Sequence, residues 1–196
     1  MQQSYASDFD LSIRSEVRVI NKFYDHLKPF APIPAPINTG CVMTYLVNNF
    51  QEYLEQVPVA LVQFLKALQI EKLYILDFLN TALSVFPFEN FRKRNCLKRL
   101  LGGKLNYTGL LSDTTIVAEI LHLFLFSGLH GRPVIFFITA KGVVPLSVRL
   151  CDDGNFHLQF QVQFSNQVLE AAHKTGFTIG DVDLCWEHSI YKLRRK

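Results

Sequence analysis

The stretch FHLQFQVQF, residues 156–164, gives the clearest structural signal in the chain. Apolar and polar side chains alternate at every position, which is typical of a β-strand with one face in a core and the other face polar. The preceding residues, Asp152-Asp153-Gly154-Asn155, form a turn signal, because glycine readily adopts positive φ. Together the two patterns predict the second strand of a hairpin.

Working outward, the rest of residues 132–196 also favours strands. The run 133–140, PVIFFITA, is apolar enough for a buried strand, and residues 146–150 alternate. Ser165 caps a predicted short helix that ends near Gly176, and residues 183–192 are predicted to form a last strand.

Upstream, the pattern changes to helical spacing. Residues 41–131 predict successive helices, which are placed at 41–57, 59–68, 71–86, 89–101 and 112–126. Residues 1–40 predict a short strand, a helix and a proline-rich connector, KPFAPIPAPINTG, at 28–40. The whole chain of 196 residues is consistent with a single domain, 1–196. We therefore expect an α+β fold in which a helical N-terminal half packs against a C-terminal antiparallel β-meander with one further helix and strand.

Composition narrows the class of protein. Apolar residues make up 49% of the chain and charged residues 19%, so a substantial core is expected. The cysteines Cys41, Cys96, Cys151 and Cys185 are far apart and include no C-x-x-C pair. The N-terminus is polar, and the longest apolar run carries Glu119 and His122 and is shorter than the roughly 20 residues that span a bilayer. We expect a cytoplasmic protein with reduced thiols and no membrane partner.

A basic segment suggests one kind of partner. The chain carries 20 Lys and Arg against 17 Asp and Glu, a formal net charge of +3. Six of these cations cluster with no acid among them, and a basic segment of this kind can bind nucleic acid by neutralising phosphates. They are Arg92, Lys93, Arg94, Lys98, Arg99 and Lys104. A solvated helix whose long side chains cover apolar neighbours would give the same pattern.

A cysteine-dependent hydrolase or acyltransferase is the alternative from another class. Cys41 follows Gly40 at a predicted helix start, where the helix dipole lowers the pKa of a thiol. His157 on a strand and Asp181 follow later, which is the order nucleophile, base, acid. This hypothesis makes Cys41 the nucleophile and His157 the base. An inert core thiol at Cys41 is the competing interpretation.

Two E-x-x-H pairs on predicted helices suggest a metal site. Each pair puts a carboxylate and an imidazole on one helix face, as in di-metal helical bundles. The pairs are Glu119 with His122 and Glu170 with His173. A core histidine and a surface ion pair explain the same residues. His188, beside Glu187 and Cys185, is a further candidate ligand without a recognised spacing.

Nucleotide-binding and common hydrolase motifs are missing from the sequence, including G-x-x-x-x-G-K-[ST], G-x-G-x-x-G, G-x-S-x-G and H-E-x-x-H. The sequence therefore favours a non-enzymatic binding or assembly protein without a cofactor. Its expected partner is nucleic acid or a nucleoprotein complex, and a purely protein-interacting adaptor is the close alternative.

Overall fold

A seven-stranded antiparallel sheet organises the described part of the chain in the computed structural model. The structure describes residues 38–77, 95, 109–125, 135–151, 153–181, 185 and 187–193. The strand order is β3-β2-β4-β5-β6-β1-β7. The strands are β1 Asn38–Tyr45, β2 Ile70–Asp77, β3 Gly109–Asp113, β4 Ile135–Gly142, β5 Leu146–Leu150, β6 Phe156–Gln161 and β7 Phe177–Gly180.

Four helices accompany these strands within the described residues. They are α1 Phe50–Ala67, α2 Val117–Leu125, α3 Ser165–Lys174 and the single turn α4 Ile190–Leu193. The start of α1 is fixed by a capping pair. The Asn49 side chain accepts a hydrogen bond from the Glu52 N–H at 2.9 Å, and the Glu52 carboxylate accepts from the Asn48 N–H at 3.0 Å.

One hydrophobic cluster joins the helices to one face of the sheet. Alternate residues of β5 and β6, such as Val148, Leu158 and Phe160, pack in the same cluster as buried residues of α1, α2 and α3. Phe177 of β7 belongs to this cluster and makes edge-to-face contacts with Phe64 of α1 and Phe156 of β6, with ring centroids 6.2 and 6.0 Å apart.

The opposite face of the sheet is defined by the strand register. Val42 of β1 and Arg149 of β5 both stand opposite His157 of β6. Directly paired residues of neighbouring strands point to the same side, so these three side chains share a face that the main hydrophobic cluster does not occupy. Val42 is only 2% exposed and lies outside that cluster, so this face is also partly covered.

The α+β class and several elements are confirmed. The β5–β6 hairpin, the strand near 133–140 and the helices after Ser112 and Ser165 lie close to where the sequence predicts them. The predicted ends differ: residues 162–164 form a 3₁₀ turn instead of continuing β6, and residues 112–113 belong to β3. Gly154 has φ +82°, as the turn signal requires. The assignment of residues 1–196 to one domain stays a prediction, and residues 1–37 and the predicted helix 89–101 lie outside the described residues, apart from residue 95.

Other elements were predicted wrongly. Residues 41–45 belong to β1 instead of a helix, residues 71–77 belong to β2, and the predicted strand 183–192 instead contains α4. A single helix, α1, replaces the two expected around Pro58, which lies inside it. Short apolar runs such as LYIL fit the periodicity of a helix as well as that of a strand, and pairing with distant strands decides which of the two forms. Of the helices described, none is long and apolar enough to cross a membrane.

Candidate metal centre

The turn between β5 and β6 brings Cys151 and His157 together. The Cys151 N–H donates to the Asn155 carbonyl at 2.9 Å, and the Gly154 N–H donates to the Cys151 carbonyl at 3.0 Å. The positive φ of Gly154 lets the chain reverse within these few residues. Cys151 therefore ends one strand while His157 lies near the start of the next, on the same face of the sheet. We call residues 151 and 153–155 the hairpin turn.

The C-terminal segment, residues 185 and 187–193, adds a second cysteine. The Ile190 N–H donates to the Asp153 carbonyl of the hairpin turn at 2.9 Å. The Asn155 side-chain amide donates to the Cys185 carbonyl at 3.4 Å. Cys185 is 4% exposed and Ile190 is 1% exposed. These contacts hold the Cys185 thiol against the hairpin turn.

Three soft donor atoms converge as a result. Cys185 Sγ lies 3.2 Å from His157 Nε2 and 3.9 Å from Cys151 Sγ. All three ligand atoms lie within 4.8 Å of one another. Around a tetrahedral zinc ion with Zn–S bonds of about 2.3 Å and a Zn–N bond of about 2.0 Å, two sulfurs are separated by about 3.8 Å and a sulfur and nitrogen by about 3.5 Å. The two distances from Cys185 Sγ are thus close to those between ligands of one ion.

Burial controls the charge state of these groups. Burial and, to a smaller extent, the Arg149 guanidinium lower the pKa of His157 to about 4, although the Asp153 carboxylate opposes them. Burial likewise raises the pKa of Cys185 to about 12, with the neighbouring Cys151 adding to the effect. The imidazole is therefore neutral near pH 7, which is the form that coordinates metals.

Backbone and side-chain donors surround the sulfurs. Burial raises the pKa of Cys151, but hydrogen bonds from the backbone of Asn155 and Asp153 oppose this by stabilising its thiolate. The Asn155 side chain has the same effect on the pKa of Cys185. Asn155 is itself held by the buried Thr44 hydroxyl, which donates to its side-chain oxygen. Such outer hydrogen bonds orient metal ligands and tune their basicity.

The hairpin turn is also tied to α1. The Tyr53 hydroxyl donates to the Gly154 carbonyl, and Tyr53 is 2% exposed. A Cβ at residue 154 would lie 2.3 Å from Ile190 Cγ2 and 2.9 Å from Tyr53 Oη. Glycine is therefore needed here for space as well as for φ. The helix, the hairpin turn and the C-terminal segment meet at this point.

The predicted pair of Cys41 and His157 is not brought together. Cys41 stands opposite Leu158 in β1, one residue out of step with His157, so the two side chains point to opposite faces. The predicted helix start at Cys41 is also wrong, because the residue lies within a strand. Burial raises the pKa of Cys41 to about 11, whereas a helix N-terminus would lower it. Asp181 follows β7 and is exposed.

The two E-x-x-H pairs lie on separate helices. Glu119 and His122 belong to α2, while Glu170 and His173 belong to α3. Glu170 is exposed and forms an ion pair with Lys174 at 2.6 Å. Among the described residues, the grouping of potential metal ligands contains none of these four.

The remaining predicted residues fall elsewhere. The six cations between residues 92 and 104 lie outside the described part of the chain. His188 is exposed and is not part of the cluster. Cys151 was not among the candidates from the sequence, and Cys185 was considered only beside its sequence neighbours Glu187 and His188. The available signal was a cysteine and a histidine flanking a tight turn, C-D-D-G-N-F-H, but Cys185 is 28 residues beyond His157 and only the fold brings it back.

Comparison of the chain with models of protein families, with curated proteins and with solved structures gave no match.

Proposed function

We propose that this protein is a non-enzymatic binding protein that takes up one zinc ion through Cys151, His157 and Cys185. The observation that carries the proposal is the convergence of two sulfurs and one imidazole nitrogen within 4.8 Å. Thiolate and imidazole donors favour zinc over the harder cations magnesium and calcium, which prefer oxygen. The spacing of the donor atoms also suits a small tetrahedral ion.

A nucleophilic role for Cys185 fits the surroundings less well. Its contact with His157 at 3.2 Å has the length of a nucleophile–base hydrogen bond. The thiol is only 4% exposed, however, and the C-terminal segment packs against the hairpin turn that it faces. A nucleophile must reach its substrate, whereas a structural metal ligand is normally shielded from solvent. Burial therefore favours a ligand over a catalytic thiol.

The proposed ion has a structural consequence. It would connect the C-terminal segment to the hairpin turn through Cys185 and thereby reinforce the hydrogen bond from Ile190 to Asp153. Metal that binds only the folded chain stabilises it by mass action, by about 2.7 kcal/mol when free zinc is 100 times the dissociation constant. Because both cysteines must stay reduced to coordinate the ion, the site also favours a reducing compartment such as the cytoplasm.

The test is metal content and zinc affinity of the full chain purified without chelator. Wild-type protein and the control C41S should hold about one zinc per chain, whereas C151S and C185S should hold less than about 0.2. Circular dichroism checks that each variant is folded. Zinc addition should raise the melting temperature of the chelator-treated wild type but not of C151S. Substoichiometric zinc in the wild type together with an unchanged melting temperature would contradict the proposal.

Cobalt substitution gives a second readout on the ligands. Co²⁺ occupies zinc sites and absorbs through charge transfer from each thiolate. The band should be present in the wild type and nearly absent in C151S and C185S, which are expected to lose the ion. C41S should leave the spectrum unchanged, since its sulfur lies on the other face of the sheet.

A second candidate function is nucleic-acid binding through the basic segment. Its support is the run of six cations between residues 92 and 104, with no acid between Glu89 and Asp113. Backbone-phosphate contacts of this kind weaken steeply as salt rises from about 50 to about 200 mM. Fluorescence anisotropy with labelled single- and double-stranded DNA and RNA measures this dependence directly.

A matched pair of variants distinguishes the contribution of the basic segment to nucleic-acid binding from the effect of net charge alone. Reversal of Arg92, Arg94 and Lys98 to Glu should abolish binding. The control reverses three exposed lysines elsewhere, by the same total charge, and should retain most binding. These are Lys66, Lys141 and Lys174. Equal binding by both triple variants would overturn the assignment, and no binding by the wild type would favour a purely protein-interacting adaptor.

A further inference from the structure

The two cysteines of the cluster are close enough to react with each other. Their sulfurs are 3.9 Å apart, and a disulfide requires about 2.05 Å, so a closure of about 2 Å suffices. The three described cysteines, Cys41, Cys151 and Cys185, are free thiols. We propose that a hydroperoxide oxidises Cys151 and Cys185 to a reversible disulfide, and that this disulfide and the metal are alternative states of one site.

The difference in exposure between the two thiols sets the order of events. Cys151 is half-buried, whereas Cys185 is 4% exposed, so a peroxide meets Cys151 first. The Cys151 sulfur attacks the peroxide, which forms a sulfenic acid and releases an alcohol, or water from hydrogen peroxide. The Cys185 thiol then displaces water from that sulfenic acid and forms the S–S bond. Two thiols lose two electrons and two protons, and the peroxide accepts them.

The fold supplies the resolving thiol at the right place. The Ile190 hydrogen bond to Asp153 and the Asn155 hydrogen bond to the Cys185 carbonyl keep Cys185 next to Cys151 before any covalent bond forms. A resolving cysteine held this close reacts faster than further oxidation to the irreversible sulfinic acid. Cys41, which packs against the main core on the other face of the sheet, cannot substitute for it.

Metal and disulfide exclude each other because both use the same two sulfurs. A disulfide sulfur carries no thiolate charge and is a poor zinc ligand, so oxidation would release the ion. Conversely, a bound ion occupies the lone pairs that attack the peroxide and slows oxidation. This part of the inference rests on the proposed zinc site, whereas formation of the disulfide does not.

The experiment treats chelator-stripped and zinc-loaded full chain with hydrogen peroxide and maps the products by non-reducing peptide mass spectrometry. Stripped protein should give one intramolecular Cys151–Cys185 disulfide, fully reversed by dithiothreitol. Zinc loading should slow its formation at least about tenfold. C41S should behave as the wild type. C185S should instead accumulate sulfenic and then sulfinic acid at Cys151.

The outcomes distinguish this inference from the proposed function. Overoxidation of Cys151 in the wild type, or disulfides only between chains, would overturn the redox inference even if zinc binds. A Cys151–Cys185 disulfide that forms equally fast with and without added zinc, in a chain that holds no zinc, would support the disulfide and refute the metal site.

Discussion

Gly154→Ala is expected to disrupt the junction of the hairpin turn, α1 and the C-terminal segment. Residue 154 has φ +82°, and an L-residue in this left-handed region costs about 1–2 kcal/mol. The new methyl would lie 2.3 Å from Ile190 Cγ2, a side chain that is 1% exposed and has little room to move. Overpacking of this kind costs about 1–3 kcal/mol more. We expect a total loss of about 2–5 kcal/mol in the free energy of unfolding.

Gly176→Ala is a matched control, because φ at Gly176 is +85°. Its added methyl would meet the ring of Tyr45, which is only half-buried and can shift, at 2.9 Å. The expected loss is therefore close to the backbone cost alone, about 1–2 kcal/mol. The three atoms nearest to that methyl all belong to Tyr45 and none to the hairpin turn or the C-terminal segment, so zinc affinity should not change.

Urea unfolding followed by circular dichroism measures both losses, and competition with a chromogenic chelator measures zinc affinity. Gly154→Ala should weaken zinc binding about 10- to 100-fold, because it displaces the segment that carries Cys185. Equal destabilisation by the two variants would show that Ile190 does not pack against residue 154. Unchanged zinc affinity in folded Gly154→Ala would refute the link between the hairpin turn and the metal site.

Three further predictions test separate parts of the molecule. Asn155→Ala removes the side-chain partner of the Thr44 hydroxyl and of the Cys185 carbonyl, and should lower the free energy of unfolding by about 1–3 kcal/mol for each of them. Adding Thr44→Val to this variant removes the unpaired hydroxyl and should recover about 1 kcal/mol in the same urea assay. An additive double variant would argue against the Thr44–Asn155 hydrogen bond. Burial raises the pKa of Cys41 to about 11, so its alkylation by iodoacetamide should be slow at pH 8 and the rate should rise about tenfold per pH unit. A rate that levels off below pH 9 would contradict this pKa. Phe64→Ala, at a side chain with no exposed surface, should cost about 3–5 kcal/mol in urea unfolding. A loss below about 1 kcal/mol there would contradict the packing of α1 on Phe177.

Local signals were sufficient where an element carries its own boundaries. The β5–β6 hairpin was predictable because strict alternation on FHLQFQ coincides with a turn that needs glycine, and both signals lie within ten residues. The extent of α3 was predictable because it begins at Ser165 and ends just before Gly176, although the Ser165 hydroxyl does not cap the helix and donates to the Val162 carbonyl instead. In these cases the short-range physical preferences of the chain agree with the tertiary structure.

Elements that depend on distant partners were not predictable in the same way. β1 lies between β6 and β7, whose residues are more than 100 positions away, and its run CVMTY satisfies a helical pattern as well as a strand pattern. Inside the sheet the backbone groups of β1 pair on both sides. The hydrogen bonds and packing gained in the sheet outweigh the small intrinsic preference of a short apolar run for helix or strand.

The candidate site depends on strand parity, which decides which of the predicted residues lie on one face of the sheet. His157 belongs to the cluster because it lies on the polar face of an alternating strand next to a turn. Cys41 was a poor partner for it because the register pairs His157 with Val42, and a shift of one residue moves a side chain to the opposite face. Cys151 and His157 are six positions apart across the reversal and fall on the same face. Two features of the sequence would have indicated a cluster of three side chains. One is a cysteine and a histidine separated by an even number of positions within a hairpin, and the other is a distant cysteine in a segment without strand alternation.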